Sequence, residues 1–307
     1  MKAVRLHGRG RADAVTYEDV PQPRPGPGEV LVRVGAAALI FNELVWDQTY
    51  TAPDGTPREL PIPGRDVSGT VLELGAGASG VKPGDAVYGM LGYGHDGALA
   101  ECTSASPSDL APRPRSLDNI HAAAVPLSAL TAWQGLYDHA QLTAGQRLLV
   151  HGGAGGVGTY VVQLARWTGA HVVATASGAD AEFVRELGAD SVIDYATTRF
   201  EDEVRDVDVV FDLVGGETLS RSWNVVRPGG VVVSIVTPPD AASPAPGVRF
   251  VYFIVQPSGE QLRRIGDLID GGHVRPVVAR VFPLADARRA YEAVTQHPRG
   301  KVVVSVP

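Results

Sequence analysis

Residues 148–169 read LLVHGGAGGVGTYVVQLARWTG, and this stretch decides the fold. The apolar run Leu148-Leu149-Val150 has the character of a buried strand, glycines follow, and from Thr159 the apolar positions take up a helical period. No residue from Leu148 to Ala165 is formally charged, but five glycines (Gly152, Gly153, Gly155, Gly156, Gly158) interrupt the segment. A membrane span needs about 20 predominantly apolar residues, so the stretch is a strand, a turn and a helix start. Gly153-Ala154-Gly155-Gly156-Val157-Gly158 fits G-x-G-x-x-G at this junction. The pattern suits a dinucleotide: the first glycine for a tight turn, the second for approach of the backbone to a pyrophosphate, the third for close helix packing. The N–H groups and partial positive charge of the helix start then face the phosphates.

Downstream, apolar strands alternate with helical patterns: HVVATAS (171–177), AEFVRELG (181–188), SVIDY (191–195), DVVFDLVG (208–215) and GGVVVSIV (229–236). Repeated β-α-β with apolar strands predicts a parallel sheet covered on both faces. Two of the helices run into Gly169-Ala170 and Gly188-Ala189, where glycine can end a helix in a left-handed turn. Upstream, short strand patterns separated by Gly/Pro turns predict a small β domain, with Val30, Val32 and Val34 alternating as in a half-buried strand. The final stretch, 276–307, is too small to stand alone and is expected to pack back onto that β domain.

At 307 residues the chain is long enough for about two domains. Its net charge of −7, without a Lys/Arg block, speaks against a nucleic-acid partner. The single cysteine, Cys102, rules out an internal disulfide and a multi-cysteine zinc site, and reads as a buried small hydrophobe. One cysteine and an N-terminal stretch without an apolar signal core predict a cytoplasmic protein. At the end of the second strand stand Thr175-Ala176-Ser177-Gly178. An NAD site usually carries Asp or Glu about 20 residues past the glycines; small hydroxyl residues instead leave room for a 2′-phosphate and favour NADPH, with Asp180 close by.

The strings LPIPGRDVSGTV (60–71), GDAVYG (84–89), VPLSALTAWQ (125–134), LLVHGGAGGVG (148–158), LGADSVIDY (187–195), VFDLVGG (210–216), PGGVVVSI (228–235) and RGKVVV (299–304) stand in this order. Together they resemble the zinc-independent medium-chain dehydrogenase/reductase family, nearest its NADPH:quinone oxidoreductase branch. The resemblance implies an α/β protein with a GroES-like β domain (1–116 and 272–307) and a Rossmann doubly wound domain (117–271). Where zinc-dependent relatives carry ligands, the matching places are Asn42 and Gly64-Arg65-Asp66, so no metal is expected. Carried over residue by residue, Gly153, Gly155, Gly156, Val157 and Gly158 would cradle the pyrophosphate, and Ser177 and Tyr195 would border the 2′-phosphate. Thr131 would lie near the nicotinamide, and Lys301 would either approach the cofactor or be an ordinary surface lysine. Asn42 would face the cleft, and residues 46–50, with Trp46, would wall the substrate side.

Without a metal to polarise an alcohol, the natural acceptor of hydride is a quinone or an α,β-unsaturated carbonyl, whose conjugation stabilises the developing enolate. Asn42 could donate to that oxygen and Tyr50, or solvent, could return the proton. Tyr93, with His95, could line the pocket. The apolar run at 248–256 suggests an edge strand for a homodimer, with Phe250 and Phe253 reaching the cleft. An enoyl or enone reductase of a biosynthetic pathway, and a non-catalytic NADPH-binding protein of this fold, are the alternatives.

Overall fold

The valine alternation at 30–34 builds a strand, but one buried on both faces. In a computed structural model, which describes residues 1–52, 54–242 and 244–307, β3 runs over Val30–Ala38 and Arg33 is its one exposed residue. It follows β1 (Lys2–Leu6) and β2 (Val15–Asp19), a separate antiparallel pair. After it come β4 (Asp66–Leu74), β5 (Ala86–Met90), β6 (Cys102–Ala105) and β7 (Leu110–Pro112). Strand β3 pairs with β4 along its length and with β6 at its start, which satisfies its backbone at both edges; opposite the buried valines, Leu31 is buried too, while Arg33 reaches solvent.

Next along the chain are β8 (Arg147–His151), β9 (His171–Ala176), β10 (Ser191–Asp194), β11 (Val207–Asp212), β12 (Val226–Ser234) and β13 (Arg249–Tyr252). They form one parallel sheet in the order β10-β9-β8-β11-β12-β13. Numbered from β8, that is the 3-2-1-4-5-6 order of dinucleotide-binding sheets, with the topological switch between β8 and β11. The helix Gly158–Thr168 after the first strand ends at Gly169, whose φ of 85° is left-handed as expected. Finally β14 (Val278–Pro283) and β15 (Lys301–Ser305) return to the β3 sheet: β15 pairs with β3 and β14 pairs with β15. The helix Ala287–Val294 contributes Ala287, Ala290, Tyr291 and Ala293 to the core of this β unit.

The chain divides into two compact units, Met1–Leu130 with Gln256–Pro307, and Thr131–Val255. The boundaries therefore fall at 130/131 and 255/256 rather than at 116/117 and 271/272. Side-chain tethers explain the difference. Leu127 donates its backbone N–H to the buried Asp66 carboxylate at 2.6 Å, and Asn119 accepts from the Ser68 hydroxyl at 2.9 Å. On the other side, Leu262 accepts from the Tyr88 hydroxyl at 2.5 Å and Asp270 accepts from the backbone N–H groups of Arg115 and Ser116. Both flanking helices are thereby fastened to the first unit. Among the described residues, no helix is long and apolar enough to cross a membrane.

Candidate functional site

The glycine turn leaves β8 directly. Gly152, with φ at 81°, takes the left-handed conformation, and the Gly155 N–H closes the turn by donating to the Gly152 carbonyl at 3.1 Å. The tight-turn role assigned to Gly153 thus belongs to its neighbour. Gly153 lies against β9: its N–H donates to the Thr175 carbonyl at 2.9 Å, and a Cβ there would meet the Ala174 Cβ at 3.0 Å. At Gly158 a Cβ would fall 2.1 Å from the Gly152 carbonyl oxygen and 2.9 Å from the Gly153 Cα. The helix start therefore touches the turn with no room for a side chain, as the third glycine requires. Gly155, Gly156 and Val157 are half-buried, so this surface can receive a ligand.

Beneath the loop runs a buried polar row that reasoning from the sequence missed. In register across four strands lie Thr175, His151, Asp212 and Ser234. Each is under 5% exposed; His151, Asp212 and Ser234 end apolar strands and Thr175 stands one residue before the end of its own, which was the available signal. Thr175 accepts the Gly152 N–H at 3.2 Å. Asp212 accepts the N–H groups of Val214 and Gly215 at 3.1 and 2.9 Å and the Ser234 hydroxyl at 2.8 Å. Ser234 in turn accepts from the N–H groups of Val236 and Thr237. The row thus holds the loops at the carboxyl ends of β8, β11 and β12, where ligands bind in open α/β sheets.

His151 lies within 2.9 Å of the Ser222 hydroxyl, and burial, opposed by the nearby Asp212, lowers its pKa to about 4. The unfolded chain, with its His near about 6.5, binds a proton between these values that the fold excludes. Stability is complete above about pH 6.5 and falls as pH drops towards 4, by about 3 kcal/mol in all. His151→Gln should flatten urea midpoints over that window relative to the wild type; an unchanged slope would assign the acid sensitivity elsewhere.

The two halves of the sheet's carboxyl edge differ in chemistry. On the β9–β10 side, the Ser177 hydroxyl donates to Asp180 at 2.6 Å, and Tyr195 is 66% exposed, its N–H donating to the Ala176 carbonyl. On the β11–β13 side, the exposed residues just past the strands are Val214, Val236 and Ile254. Polar groups suit a ribose, and aliphatic ones suit the flat ring of a nicotinamide or an apolar acceptor. Phe250 and Phe253 are absorbed in packing within this unit. The Phe250 ring meets Trp223 edge-on at 5.6 Å, and Phe253, 9% exposed, stacks 4.5 Å from His139. Thr131 is buried in the helix Pro126–Trp133.

In the first unit, Asn42 is exposed with a left-handed φ of 64°, and Trp46 is half-buried. The Tyr50 hydroxyl donates to the Leu44 carbonyl at 2.8 Å, and burial raises its pKa. Its proton is committed to the backbone, which weakens it as a donor to substrate. Tyr93 lies under the Arg65 guanidinium, 5.7 Å from the ring centre. Lys301 is neither a surface lysine nor extended towards solvent: it is 5% exposed, with Nζ 3.0 Å from the fully buried Asp66. Glu43 accepts from the Gly64 N–H at 2.7 Å and the Tyr291 hydroxyl at 3.0 Å, burial raising its pKa against the pull of Arg65. Cys102 is buried, as expected.

This donor set does not suit zinc. The Arg65 guanidinium, which has no lone pair to offer, donates to the Gly92 and His95 carbonyls at 2.9 and 2.8 Å. Glu43 and Asp66 are engaged with Tyr291 and Lys301. Among the described residues, no group of three or more His, Cys, Asp and Glu side chains could hold a metal.

Comparison with known proteins agrees with this architecture. Residues 26–115 match the family model of the alcohol dehydrogenase GroES-like domain, and residues 187–304 match that of zinc-binding dehydrogenases. A chloroplastic NADPH-dependent alkenal/one oxidoreductase of Arabidopsis thaliana is 37% identical over 99% of this chain and 79% of its own. The chain belongs to the medium-chain dehydrogenase/reductase family. Within that family it is quinone-oxidoreductase-like. A chloroplastic quinone oxidoreductase of Triphysaria versicolor is 32% identical, with 99% of this chain and 98% of its own covered. The structure of the quinone oxidoreductase from Coxiella burnetii superposes with a TM-score of 0.91 at 31% identity, covering 100% of this chain and 99% of the other. The protein is accordingly an oxidoreductase of GroES-like plus Rossmann architecture that uses a nicotinamide cofactor.

Proposed function

We propose that the protein is a zinc-independent NAD(P)H-dependent reductase of quinones or other electron-poor conjugated carbonyls. The observation that carries this reading is a glycine turn closed so tightly on the helix start that Gly158 has no room for a Cβ, with Gly155, Gly156 and Val157 left half-buried on its surface, in a chain that holds a guanidinium, Arg65, where zinc-dependent relatives have a ligand. When bound, the nicotinamide supplies a hydride. The chain's own part is to hold and orient: the turn and helix start receive the phosphates, and the buried row fixes the loops beside them. Val214, Val236 and Ile254 offer an apolar rim to the reacting ring. A conjugated acceptor takes the hydride at carbon, and the negative charge spreads to its oxygen. In this reading solvent returns the proton, because the Tyr50 hydroxyl already donates to the Leu44 carbonyl.

Small side chains at 175–178 leave room for the 2′-phosphate of NADPH, the cofactor named for the Arabidopsis relative; Asp180 gives a free ribose hydroxyl an acceptor. Both nucleotides therefore belong to this reading. So do a cytoplasmic location, for which one buried cysteine is suited, and a homodimer across the open edge of β13.

The purified protein should oxidise reduced nicotinamide with small quinones and enones, leave simple alcohols unoxidised, and be indifferent to chelators. Preference for enones over quinones would move the assignment to alkene reduction. Zinc-dependent alcohol oxidation would overturn it. Tight nucleotide binding without turnover across such a panel would identify a non-catalytic binding protein.

A further inference from the structure

The first unit holds a cavity of about 380 Å³ that shares no residue with the glycine turn. Its walls come from well-separated stretches of that unit: β1, the segment 20–29, residues 58–62, the loop 94–97 and β6. The size is that of a small-molecule site.

Charges in this wall are unequally matched. Both carboxylates are engaged. Glu29 Oε1 lies 3.2 Å from His95 Nδ1, and its Oε2 accepts the Gly26 N–H at 2.8 Å. Asp96 accepts from Arg58 Nη2 at 2.5 Å and from the Ile62 N–H at 3.1 Å. The arginines keep donors to spare: Arg5 Nε and Arg58 Nη1 are buried without a hydrogen-bond partner among the described residues. The carboxylate that faces Arg5, Glu18, stops 3.7 Å from Nε, beyond hydrogen-bond reach, and its other oxygen lies 3.1 Å from His7. A guanidinium donor left unbonded in a partly buried wall costs free energy that an anionic acceptor restores. Beside these donors the wall is apolar, with Val20 and Ile62 buried and Pro23 half-buried. One cationic fork over an apolar lining matches a carboxylate with a short hydrocarbon body. A phosphate would set its second charge against Glu29 and Asp96.

We propose that this cavity is a binding site for a small organic carboxylate, with its anionic end on Arg5 and its hydrocarbon against Val20, Pro23 and Ile62. The site stands apart from the reductase reading, because its residues lie outside the glycine turn and the loops beside it.

The test is calorimetric titration of the protein with hexanoate, its neutral counterpart hexanamide, and hexyl phosphate, each with and without NADPH. Hexanoate should bind with a Kd below about 1 mM, and hexanamide about tenfold or more weaker, because it lacks the charge. Arg5→Gln should weaken hexanoate about tenfold and leave hexanamide unmoved, with nucleotide binding as in wild type. Ser104→Phe adds bulk to the same wall and should abolish binding of both, which decides the matter if Arg5→Gln does not fold. No hexanoate binding, equal affinity for hexanamide, or hexanoate binding unmoved by either substitution would overturn the proposal. So would competitive displacement of hexanoate by NADPH, which would put it in the nucleotide site. Tighter binding of hexyl phosphate would overturn the carboxylate assignment in favour of a phosphate site. If hexanoate binds as expected but no acceptor is reduced, the reductase reading fails and this site stands.

Discussion

Gly158→Ala should abolish nucleotide binding and destabilise the second unit, whereas Gly155→Ala should abolish binding alone. The contrast follows from what each new methyl would meet. At Gly158 the Cβ would press to 2.1 Å from the Gly152 carbonyl oxygen and 2.9 Å from its carbon. Both neighbours are backbone, fixed by the left-handed turn and by the bond from Gly152 N–H to Thr175. Nothing there can rotate away, so the helix start must move off the turn, and the packing of Tyr160, Val161 and Leu164, all buried, moves with it. A destabilisation of about 3 kcal/mol is expected, the upper end of what overpacking usually costs, because the surroundings are rigid. At Gly155 the nearest atom to the new methyl is the Gly152 oxygen at 3.5 Å, an ordinary contact. That variant should therefore unfold at wild-type urea concentration. Its methyl would instead stand on the surface the pyrophosphate must approach, and NADH affinity should drop by about 100-fold or more. Denaturation and calorimetry on both variants check this. A Gly155→Ala protein that binds nucleotide normally would show that this turn is not the phosphate cradle.

Lys301→Met should cost the first unit about 3–5 kcal/mol, the usual effect of stranding one member of a buried ion pair. Asp66 is fully buried and Lys301 nearly so. Burial already pushes the Asp66 carboxyl above its ordinary range, and Lys301 is the chief group opposing that. Without the ammonium the folded-state pKa should rise further. A carboxyl whose folded pKa lies above its unfolded value favours the fold when protonated, so the variant should regain stability as pH falls and lose it as pH rises through neutrality. The Asp66→Asn, Lys301→Met double variant should recover much of the loss and lose the pH dependence, because no unpaired charge remains. Urea midpoints at pH 5 and pH 8 read both effects. A single variant as stable as wild type at pH 8 would mean that the pair does not hold β4 to β15.

These two sites illustrate how unevenly the chain could be read in advance. The glycine turn was legible because its main demands are local: Gly152, Gly155 and Gly158 meet one another within six residues, and the strand before and the helix after declare themselves by period. Even there, the left-handed residue proved to be Gly152, since the pattern fixes spacing but not which peptide flips. Lys301 was not legible. Its partner stands 235 positions away, and only the pairing of β15 against β3, beside β4, joins them. The same holds for Glu43 and Tyr291, and for Phe253, whose apolar character could not say whether it lines a cleft or fills a core.

By itself, then, the sequence determined the class of each segment, the order of β-α-β units, the dinucleotide turn and the return of the last strands to the β unit. These follow from periodicity and from glycine and proline, whose effects are short-ranged. Tertiary structure alone decided where the unit boundaries fall, which polar side chains are buried in register as Thr175, His151, Asp212 and Ser234, and which proton Ser177 has left to give. Burial and charge pairing depend on what distant strands bring alongside, and no local pattern encodes that.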